Sequence, residues 1–568
     1  MKILRRLAVL VLSLCVSLGV LTGCVGTGGG DSINPEPIDQ TKSQLNVFNF
    51  NGGFGNDWLY AARSRFEEMY KDTEFERGKK GVQIRITAEK ANGATWEKDL
   101  PNSNQEVIFT EVVNYKEFVA KGLILDITDI VKENLNEKYG ENKAIKDKLT
   151  PQQDAYYKHN GKYYGIPHYA SYFGITYDIE LFDDELLYFA QTAHEDSLAG
   201  RFVQSLTETR SAGPDGKPGT NDDGLPATYA DFFVLCDYMY SLGIKPLTFA
   251  GNVRDKYLPA LALSLAADYE GLTQFQLAYT FSGTAENLVS SFDGANPVVA
   301  NKKVPIGSSN GYDVFAQSGR YYGLSFLEKI VKNDKYVYNV QRNYNNTYTH
   351  INAQKDYIGS KKKSGQRIAM LIDGCFWESE ATEEFDKLGQ QYPSDMGKMQ
   401  RRFGFMPLPK ATSDKVYDGN KITLLDYINS LAFINANIDA EKIPLAKLFL
   451  QFCYTDESLR EYSRITNTLK ALDYTLDSSD LKEMTEFGRS VYELHHSDRT
   501  DIVYPYADNN LFLNNYSNFT EEKVWSSYIN NATENQPVTG MRDKDISAQN
   551  YFEGIKKYFE RSWSGFIV

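Results

Sequence analysis

The hydrophobic and polar positions near the start of the chain follow two periods. Leu45–Phe50 and Val82–Ile86 alternate as half-buried strands do, and Glu106–Phe109 predicts a third strand. Between the first two strands, apolar residues recur at helical spacing after Asn56, an N-cap candidate. Strands that alternate with helices predict an α/β fold with a parallel sheet.

Capping signals divide the later part of the chain into further helices. Thr228 precedes an apolar stripe that stops at Gly243, which predicts a capped helix between them. Residues 439–465 predict two consecutive helices with a break near Thr455. The alternation of element types therefore continues beyond the first sheet.

The stretch NGKYYGIPHYASYFGITYDIELF, residues 160–182, carries seven aromatic rings in twenty-three positions. Tyr164, Ile166 and His168 fall on one face, as in a half-buried strand. The run is too long for one strand, and Pro167 interrupts it. We therefore expect one strand to end and another to begin here, with several phenols at the junction.

The N-terminus has the pattern of an export signal. Three cations precede an apolar run that ends at Val20, and Leu21-Thr22-Gly23-Cys24 follows. This pattern predicts a signal peptide over residues 1–23, because the run is too short for a mature membrane span. Its last four residues resemble a bacterial lipobox, which implies a lipid anchor on Cys24; an incidental cysteine after an ordinary signal is the alternative. Residues 24–44 predict a flexible tether.

Composition and charge narrow the class of protein. A chain of 568 residues, 42% of them hydrophobic, can form more than one domain or lobe. Removing three signal-peptide cations from a net charge of −14 leaves about −17, which argues against nucleic-acid partners and against charge-driven binding to anionic lipid. Cys236, Cys375 and Cys453 lie in apolar stretches and predict core residues rather than a disulfide frame.

Six motifs, in this order, are similar to those of the extracellular solute-binding proteins of ABC importers, the carbohydrate-binding family 1 group. They are NGGFGNDWLYAARSRFEEMY, YKEFVAKGLILDITDIV, NGKYYGIPHYASYFGITYDIELF, IAMLIDGCFWES, FGFMPLPK and AKLFLQFCYTDESLREYS. The resemblance covers nearly the whole mature chain and rests on the order and spacing of these motifs together with the lipobox. The chain departs from the family at Asp178, where asparagine is usual, and in longer segments at about 183–226 and 333–365.

The resemblance implies an α/β, two-lobed periplasmic-binding-protein-like (Venus-flytrap) fold with crossing hinge strands. Lobe 1 would comprise residues 45–168 and 374–434, and lobe 2 residues 169–373 and 435–568. Ligand would lie between the lobes, beyond the carboxyl ends of the strands, where residues 160–182 form the first crossing. Rings at this place suit a sugar, because its C–H faces stack on rings and tyrosine adds a polar tip.

Candidate ligand-binding residues follow from that placement. They are Phe54, Asn56, Glu111, Tyr169, Tyr172, Tyr312, Trp377 and Trp525. Trp377 matches the tryptophan of the family's second crossing and is predicted to be the main stacking residue. The alternatives are a capped turn for Phe54 and Asn56, a solvated surface acid for Glu111, and ordinary strand core for the two crossing tyrosines.

The glycine-rich loop GPDGKPGTNDDGLP, residues 213–226, is a candidate Ca²⁺ site because its side chains offer hard oxygen ligands. The candidate ligands are Asp215, Asn221, Asp222 and Asp223. The spacing is not that of an EF-hand, since Lys217 and Gly219 occupy ligand positions and no glutamate ends the loop. A polar turn cluster is the alternative. A bound metal would be structural, and no cofactor is required.

These observations predict a lipid-anchored receptor on the extracytoplasmic face of the cell membrane. It would bind a carbohydrate, of oligosaccharide size by chain length and aromatic content, and deliver it to the membrane permease of an ABC transporter without being an enzyme. A lipoprotein glycoside hydrolase is the alternative; it needs two carboxylates about 5 Å or about 6.5–9.5 Å apart, and the sequence has no recognisable catalytic signature. An adhesin or scaffold would show repeats or a fibrous composition, and neither is present.

Overall fold

The computed structural model describes residues 37–89, 93–111, 113–363, 365–504, 509–519, 524 and 536–567. The strands are β1 (Ser43–Phe50), β2 (Val82–Glu89), β3 (Val107–Glu111), β4 (Lys158–His159), β5 (Lys162–Tyr163), β6 (Gly165–Pro167), β7 (Phe173–Asp178), β8 (Lys245–Phe249), β9 (Gly283–Ala285), β10 (Val289–Asp293), β11 (Asn296–Val299), β12 (Val304–Ile306), β13 (Ile368–Gly374), β14 (Phe403–Met406), β15 (Ile422–Leu425), β16 (Ser430–Ile434) and β17 (Thr500–Val503).

The α-helices in the same residues are α1 (Asp57–Met69), α2 (Gly93–Asp99), α3 (Tyr115–Ala120), α4 (Thr128–Lys132), α5 (Asn136–Tyr139), α6 (Pro151–Tyr157), α7 (Ile179–Asp184), α8 (Tyr229–Ser241), α9 (Arg254–Phe275), α10 (Leu277–Thr280), α11 (Ser318–Val331), α12 (Val340–Asn343), α13 (His350–Gly359), α14 (Trp377–Glu380), α15 (Thr382–Gln391), α16 (Ile443–Phe452), α17 (Asp456–Thr466), α18 (Ser478–Glu483), α19 (Glu486–His496), α20 (Asn510–Asn514), α21 (Tyr516–Phe519), α22 (Pro537–Asp543) and α23 (Ala548–Ser562). Within the described residues, none of these helices is long and apolar enough to cross a membrane.

The first sheet has the strand order β2-β1-β3-β16-β6. β1 pairs in parallel with β2 and β3, which confirms the arrangement predicted from the alternating elements. β16 arrives from much later in the chain and pairs antiparallel with both β3 and β6. The sheet is therefore mixed, and its carboxyl-end edge carries the loops that follow β1 and β3.

The second sheet has the strand order β14-β7-β13-β8. β13 is parallel to β8 and antiparallel to β7, and β14 is antiparallel to β7. All seven residues of β13 are buried, as expected for a strand covered on both faces. The chain passes from the first sheet to the second between β6 and β7, and it returns between β14 and β16.

In two places, the elements belong to a different sheet from the one that the predicted lobe boundaries imply. β14 belongs to the second sheet although residues 374–434 were assigned to lobe 1. Helices α16 and α17 pack on β16 and α1 of the first sheet although residues 435–568 were assigned to lobe 2. The first difference arises because the chain returns after β14, and the second because α16 follows β16 directly on the same side.

The predicted tether, residues 24–44, ends earlier than expected, because its last residues already belong to the fold. Ser43 and Gln44 already pair with β2, and the carbonyl of Thr41 accepts the backbone N–H of Lys80 at 2.9 Å. The signal peptide, Cys24 and the tether up to residue 36 lie outside the described residues.

Several local predictions are confirmed. The Thr228 side chain accepts the backbone N–H of Asp231, which caps α8, and Thr455 caps α17 directly after α16 ends. Asn56 stands at the N-cap of α1 but does not cap it through its side chain; its Oδ1 instead accepts the Asn49 amide at 2.7 Å. Cys236, Cys375 and Cys453 are free and buried, as predicted.

The departure from the family at Asp178 has a structural reason. The Asp178 carboxylate is buried and accepts the Leu181 backbone N–H at the start of α7. Its Oδ2 also lies 2.8 Å from an Arg367 nitrogen and 2.9 Å from an Arg401 nitrogen. Arg401 is itself buried. A carboxylate at this position therefore pairs with two guanidinium groups, whereas a neutral amide would remove that pairing and leave Arg401 with Glu180 alone.

Candidate functional site

Two chain segments that connect the sheets run side by side and hold each other by hydrogen bonds. The backbone N–H of Tyr169 donates to Ser430 Oγ, and Ser430 Oγ donates to the Tyr169 carbonyl, both at 3.1 Å. Ser171 N donates to Asp426 Oδ1 at 2.8 Å, and Tyr427 N donates to the Ser171 carbonyl at 2.8 Å. This pair of segments forms the junction between the sheets that the aromatic stretch predicted.

Aromatic rings from both sides of the junction converge at the carboxyl ends of the strands. The Phe54 ring lies 4.0 Å from Tyr169 and 5.7 Å from Phe376, between centroids. Phe173 lies 5.7 Å from Phe376, 4.9 Å from Tyr257 and 5.1 Å from Tyr427. We call these six rings the crossing cluster: Phe54, Tyr169, Phe173, Tyr257, Phe376 and Tyr427.

The glycine-rich loop after β1 permits this convergence. A Cβ on Gly53 would lie 2.6 Å from Cδ2 of Phe376, so only glycine lets the loop backbone meet that ring. A Cβ on Gly52 would lie 3.2 Å from Glu111 Oε1. Gly55 has a φ of +68°, which glycine adopts without strain. The loop residues therefore bring Phe54 onto the rings of the junction.

A carboxylate completes the cluster. Glu111 ends β3 and is half-buried, and the Tyr169 hydroxyl donates a hydrogen bond to it. Burial, followed by the charges of Asp373, Glu380 and Glu111, raises the pKa of the Tyr257 phenol well above its usual value. The phenol at this site therefore stays neutral and can donate or accept a hydrogen bond, while the carboxylate can accept hydroxyl protons.

A buried lysine lies on the sheet side of the first crossing. Lys470 Nζ is 2.6 Å from Nδ1 of His168, and the rings of Trp58 and Tyr462 lie 4.1 and 4.5 Å from it. Lys470 is fully buried, and burial, with no carboxylate partner among the described residues, lowers its pKa well below its usual value. Burial lowers the pKa of His168 as well. This hydrogen bond holds His168, which directly precedes Tyr169 in the chain.

We expect Lys470 to contribute a rise in the stability of the folded chain with pH, up to its unfolded pKa of 10.5. The unfolded lysine keeps its proton up to its ordinary pKa of 10.5, whereas the folded lysine has lost it at lower pH. The unfolded state therefore binds more protons in that window, and the slope can reach about 1.4 kcal/mol per pH unit. Denaturant unfolding from about pH 8 to about pH 10 measures this slope.

The control for this experiment is the exposed Lys482. Lys470→Met should flatten the slope of unfolding free energy against pH, while Lys482→Met should leave it unchanged. The alkaline window separates Lys470 from His168, whose unfolded pKa is 6.5. Equal slopes in the wild type and Lys470→Met would show that the lysine is charged in the fold.

The structure brings together three of the residues that the sequence nominated. Tyr169 contacts both Phe54 and Glu111, and the Asn49 amide joins Asn56 to the carbonyl of Gly55 in the same loop as Phe54. Tyr172 is buried in the junction, where its hydroxyl meets Nδ1 of His495 at 2.5 Å. It supports the crossing segment and does not belong to the crossing cluster.

The structure places Trp377 and Tyr312 outside the crossing cluster. Trp377 is 0% exposed, and the rings of Tyr357, Phe403 and Phe487 surround it at 5.2–5.7 Å. It is a core residue, because its ring packs among side chains of α13, β14 and α19. Tyr312 lies half-buried beside Trp563, on a segment that packs against α23. Trp525 lies outside the described residues.

Sequence reasoning missed Phe376, Tyr257 and Tyr427. Phe376 is adjacent to the nominated Trp377, and residues that are neighbours in sequence point to different sides. Tyr257 lies in the first turns of α9, a helix without any site motif. Tyr427 follows Asp426 in the returning segment, which the resemblance did not mark. Of these three residues, only Phe376 had a signal in the sequence, which was its place beside the aromatic Trp377.

The loop at 213–226 uses its oxygen atoms within the protein. Asp222 Oδ2 accepts the Asp215 backbone N–H at 3.0 Å, and Asp223 Oδ2 accepts that of Gly219 at 2.7 Å. Asn221 donates to Glu493 at 2.6 Å. Across the residues that the structure describes, no group of three or more His, Cys, Asp or Glu side chains is arranged to hold a metal ion. A Ca²⁺ ion in this loop stays a prediction.

Comparison with known proteins gives a match of fold. No protein-family model and no curated protein sequence matches the chain. Among solved structures, a chitin oligosaccharide binding protein aligns over 92% of this chain and 100% of its own, with 14% identity and a TM-score of 0.53. The apo form of RafE from Streptococcus pneumoniae aligns over 93% and 99%, with 13% identity and a TM-score of 0.50.

A third structure, described as concerning xylan utilization by the thermophilic bacterium Caldanaerobius polysaccharolyticus, covers 91% of this chain and 99% of its own. Its identity is 13% and its TM-score 0.52. Each alignment covers nearly the whole length of the matched protein. The likeness therefore includes both sheets and the segments that join them. The chain therefore has an α/β, two-lobed periplasmic-binding-protein-like fold with crossing hinge strands.

Proposed function

We propose that this protein is a lipid-anchored extracytoplasmic receptor that binds an oligosaccharide at the crossing cluster and delivers it to an ABC transporter permease. The observation that carries the proposal is the convergence of Phe54, Tyr169 and Glu111 at the junction of the two sheets. Phe54 and Tyr169 are buried in this structure, and opening of the hinge would expose their rings to the C–H faces of a sugar, while the carboxylate and phenols offer partners for its hydroxyls.

Two further observations support the proposal. The chitin oligosaccharide binding protein and RafE, which was solved with raffinose, share the fold over nearly their full length. The N-terminal pattern of a charged start, an apolar run and Cys24 suits an exported lipoprotein. Hinge closure of two lobes on ligand is the motion expected of such a receptor.

Glu111→Gln is expected to weaken glycan binding by about tenfold or more. A hydrogen bond to a charged group contributes about 1.5–3 kcal/mol, and 1.4 kcal/mol is a factor of ten. A panel of raffinose, triacetylchitotriose and xylotriose, screened by melting temperature, identifies a ligand, since binding stabilises the folded state. Calorimetric titration of that ligand then measures the loss.

The matched control is Glu117→Gln on α3, an acid that pairs with Lys121 on the surface. It should bind the glycan as the wild type does. Equal affinity in Glu111→Gln would place the ligand away from the crossing cluster. Chromatography of the glycan after overnight incubation tests the glycosidase alternative: new product peaks that disappear in Asp373→Asn would favour it, since Asp373 is a buried acid beside the cluster with a raised pKa.

Cys24→Ala is expected to move the protein out of the membrane fraction or to leave its signal uncleaved. Stable anchoring needs two acyl chains, which a lipidated N-terminal cysteine would carry. Fractionation and an intact-mass measurement of the N-terminus give the result. Membrane retention of a cleaved Cys24→Ala protein would contradict the anchor.

A further inference from the structure

A cavity that is separate from the crossing cluster lies against the outer edge of the second sheet. Its volume is about 490 Å³. The loop at 213–226, strand β14 with the residue that follows it, and helix α19 supply most of its lining, and Tyr177 of β7, Ile179 of α7, Ile422 of β15, Ser497 and Arg499 supply the rest. It shares no lining residue with the crossing cluster. We call it the lateral cavity. Its volume lies within the roughly 300–1,000 Å³ of small-molecule sites.

The floor of the lateral cavity carries a buried phenol without a partner. Tyr177 is 8% exposed, and among the described residues its hydroxyl makes no hydrogen bond. Its ring lies across β14 at Gly404, where a Cβ would come within 2.5 Å of Cε1 and 2.9 Å of the hydroxyl oxygen. Glycine at this strand position therefore makes room for the ring. Burial raises the pKa of the Tyr177 phenol, so it stays a neutral donor.

Hydrogen bonds between the loop and the helix hold the walls in place. The Asn221 amide donates to Glu493 Oε2 at 2.6 Å, which joins the loop to α19. Arg499 donates to the Asp215 carbonyl at 2.8 Å, and its Nε lies 3.1 Å from Asp215 Oδ2. The walls are thus fixed by bonds that leave the Tyr177 hydroxyl unused.

The lining also restricts the chemistry of a ligand. Four acids and two arginines line the cavity, and this negative balance disfavours phosphates, uronates and other anions. The Tyr177 and Phe405 rings and Leu494 supply an apolar floor. A neutral pyranose matches this combination, because it presents C–H faces to rings and hydroxyls to polar walls.

We propose that the lateral cavity is a second glycan site, which binds one or two neutral pyranose units through a hydrogen bond from the Tyr177 hydroxyl and through apolar contact with Leu494 and the small exposed parts of the Tyr177 and Phe405 rings. The choice of a sugar as ligand rests on the proposed function. The site itself rests on the cavity, the partnerless phenol and the strand glycine that admits it. It gives the loop at 213–226 a role as a wall of a binding site.

The test counts glycan equivalents by equilibrium dialysis with raffinose, triacetylchitotriose and xylotriose up to millimolar concentration. The wild type should bind two equivalents of at least one of these glycans. Tyr177→Phe should weaken one of them about five- to tenfold, as expected for the loss of a neutral hydrogen bond, and should leave melting unchanged, since the hydroxyl has no partner in the fold. Asn221→Ala, on an exposed residue, should weaken the same equivalent.

Tyr240→Phe, on the exposed face of α8, is the control and should change neither equivalent. Glu111→Gln should weaken only the other equivalent, which separates the two sites. A single equivalent that only Glu111→Gln weakens would overturn the lateral site and leave the proposed function standing. A single equivalent that only Tyr177→Phe weakens would do the reverse. The proposal would also be overturned if a second equivalent bound with the same affinity in Tyr177→Phe, Asn221→Ala and the wild type.

Discussion

Replacing Trp377 with alanine is expected to lower the free energy of unfolding by about 3–5 kcal/mol. The indole is fully buried and packs edge to face against Tyr357, Phe403 and Phe487. Its removal would leave a cavity between α13, β14 and α19, which belong to one packed core and cannot all move inward. Denaturant unfolding of the wild type and the variant measures the loss.

The neighbouring Phe376 provides the comparison. Phe376→Ala removes a ring of the crossing cluster and should weaken glycan binding by about thirtyfold, because truncating a central aromatic anchor commonly costs 2 kcal/mol or more. Trp377→Ala should bind normally in its folded fraction. If Trp377→Ala instead melted like the wild type and lost affinity, the indole would contact ligand and the core assignment would be wrong.

Asp178→Asn is expected to destabilise the fold by about 3 kcal/mol. The substitution keeps the size of the side chain but removes the charge that faces Arg367 and Arg401. Breaking a buried ion pair by changing one partner typically costs about 3–5 kcal/mol, and Glu180 still pairs with Arg401, which favours the lower end. The midpoint and slope of urea unfolding report the change.

Asp183→Asn is the matched control for Asp178→Asn. Asp183 pairs with Arg402 at 2.8 Å, close in sequence to the buried pair, but both side chains are partly exposed. Exposed pairs contribute about 0–1 kcal/mol. If the two variants lost similar free energies of unfolding, the buried Asp178 pair would contribute no more to stability than the exposed Asp183 pair, and the prediction would be wrong.

The sequence predicted the first sheet well because its signals are local. Alternating apolar residues in β1 and β2 reflect a strand with one buried face, and capping residues such as Thr228 and Thr455 act within one helical turn. The lobe boundaries were predicted less well. Whether β14 joins the second sheet depends on pairing with β7, which lies far away in the chain, and no local pattern encodes that partner.

The candidate site was predicted in part for the same reason. Tyr169 and Glu111 stand at strand ends, which periodicity locates, so their meeting could be expected. The choice between Phe376 and Trp377 could not, because both are apolar rings at the start of one short helix and only its direction decides which one faces the junction. Tyr257 comes from a helix whose position depends on tertiary packing alone.

The place of β16 in the first sheet has a consequence for biosynthesis. This strand lies between β3 and β6, yet it is made after all of the second sheet. A nascent chain that ends before residue 430 would leave unpaired edges on β3 and β6, and such edges recruit other strands. The first sheet can therefore close only after residue 434 has been synthesised. Long-range pairing of this kind slows folding, so the first sheet is expected to close late.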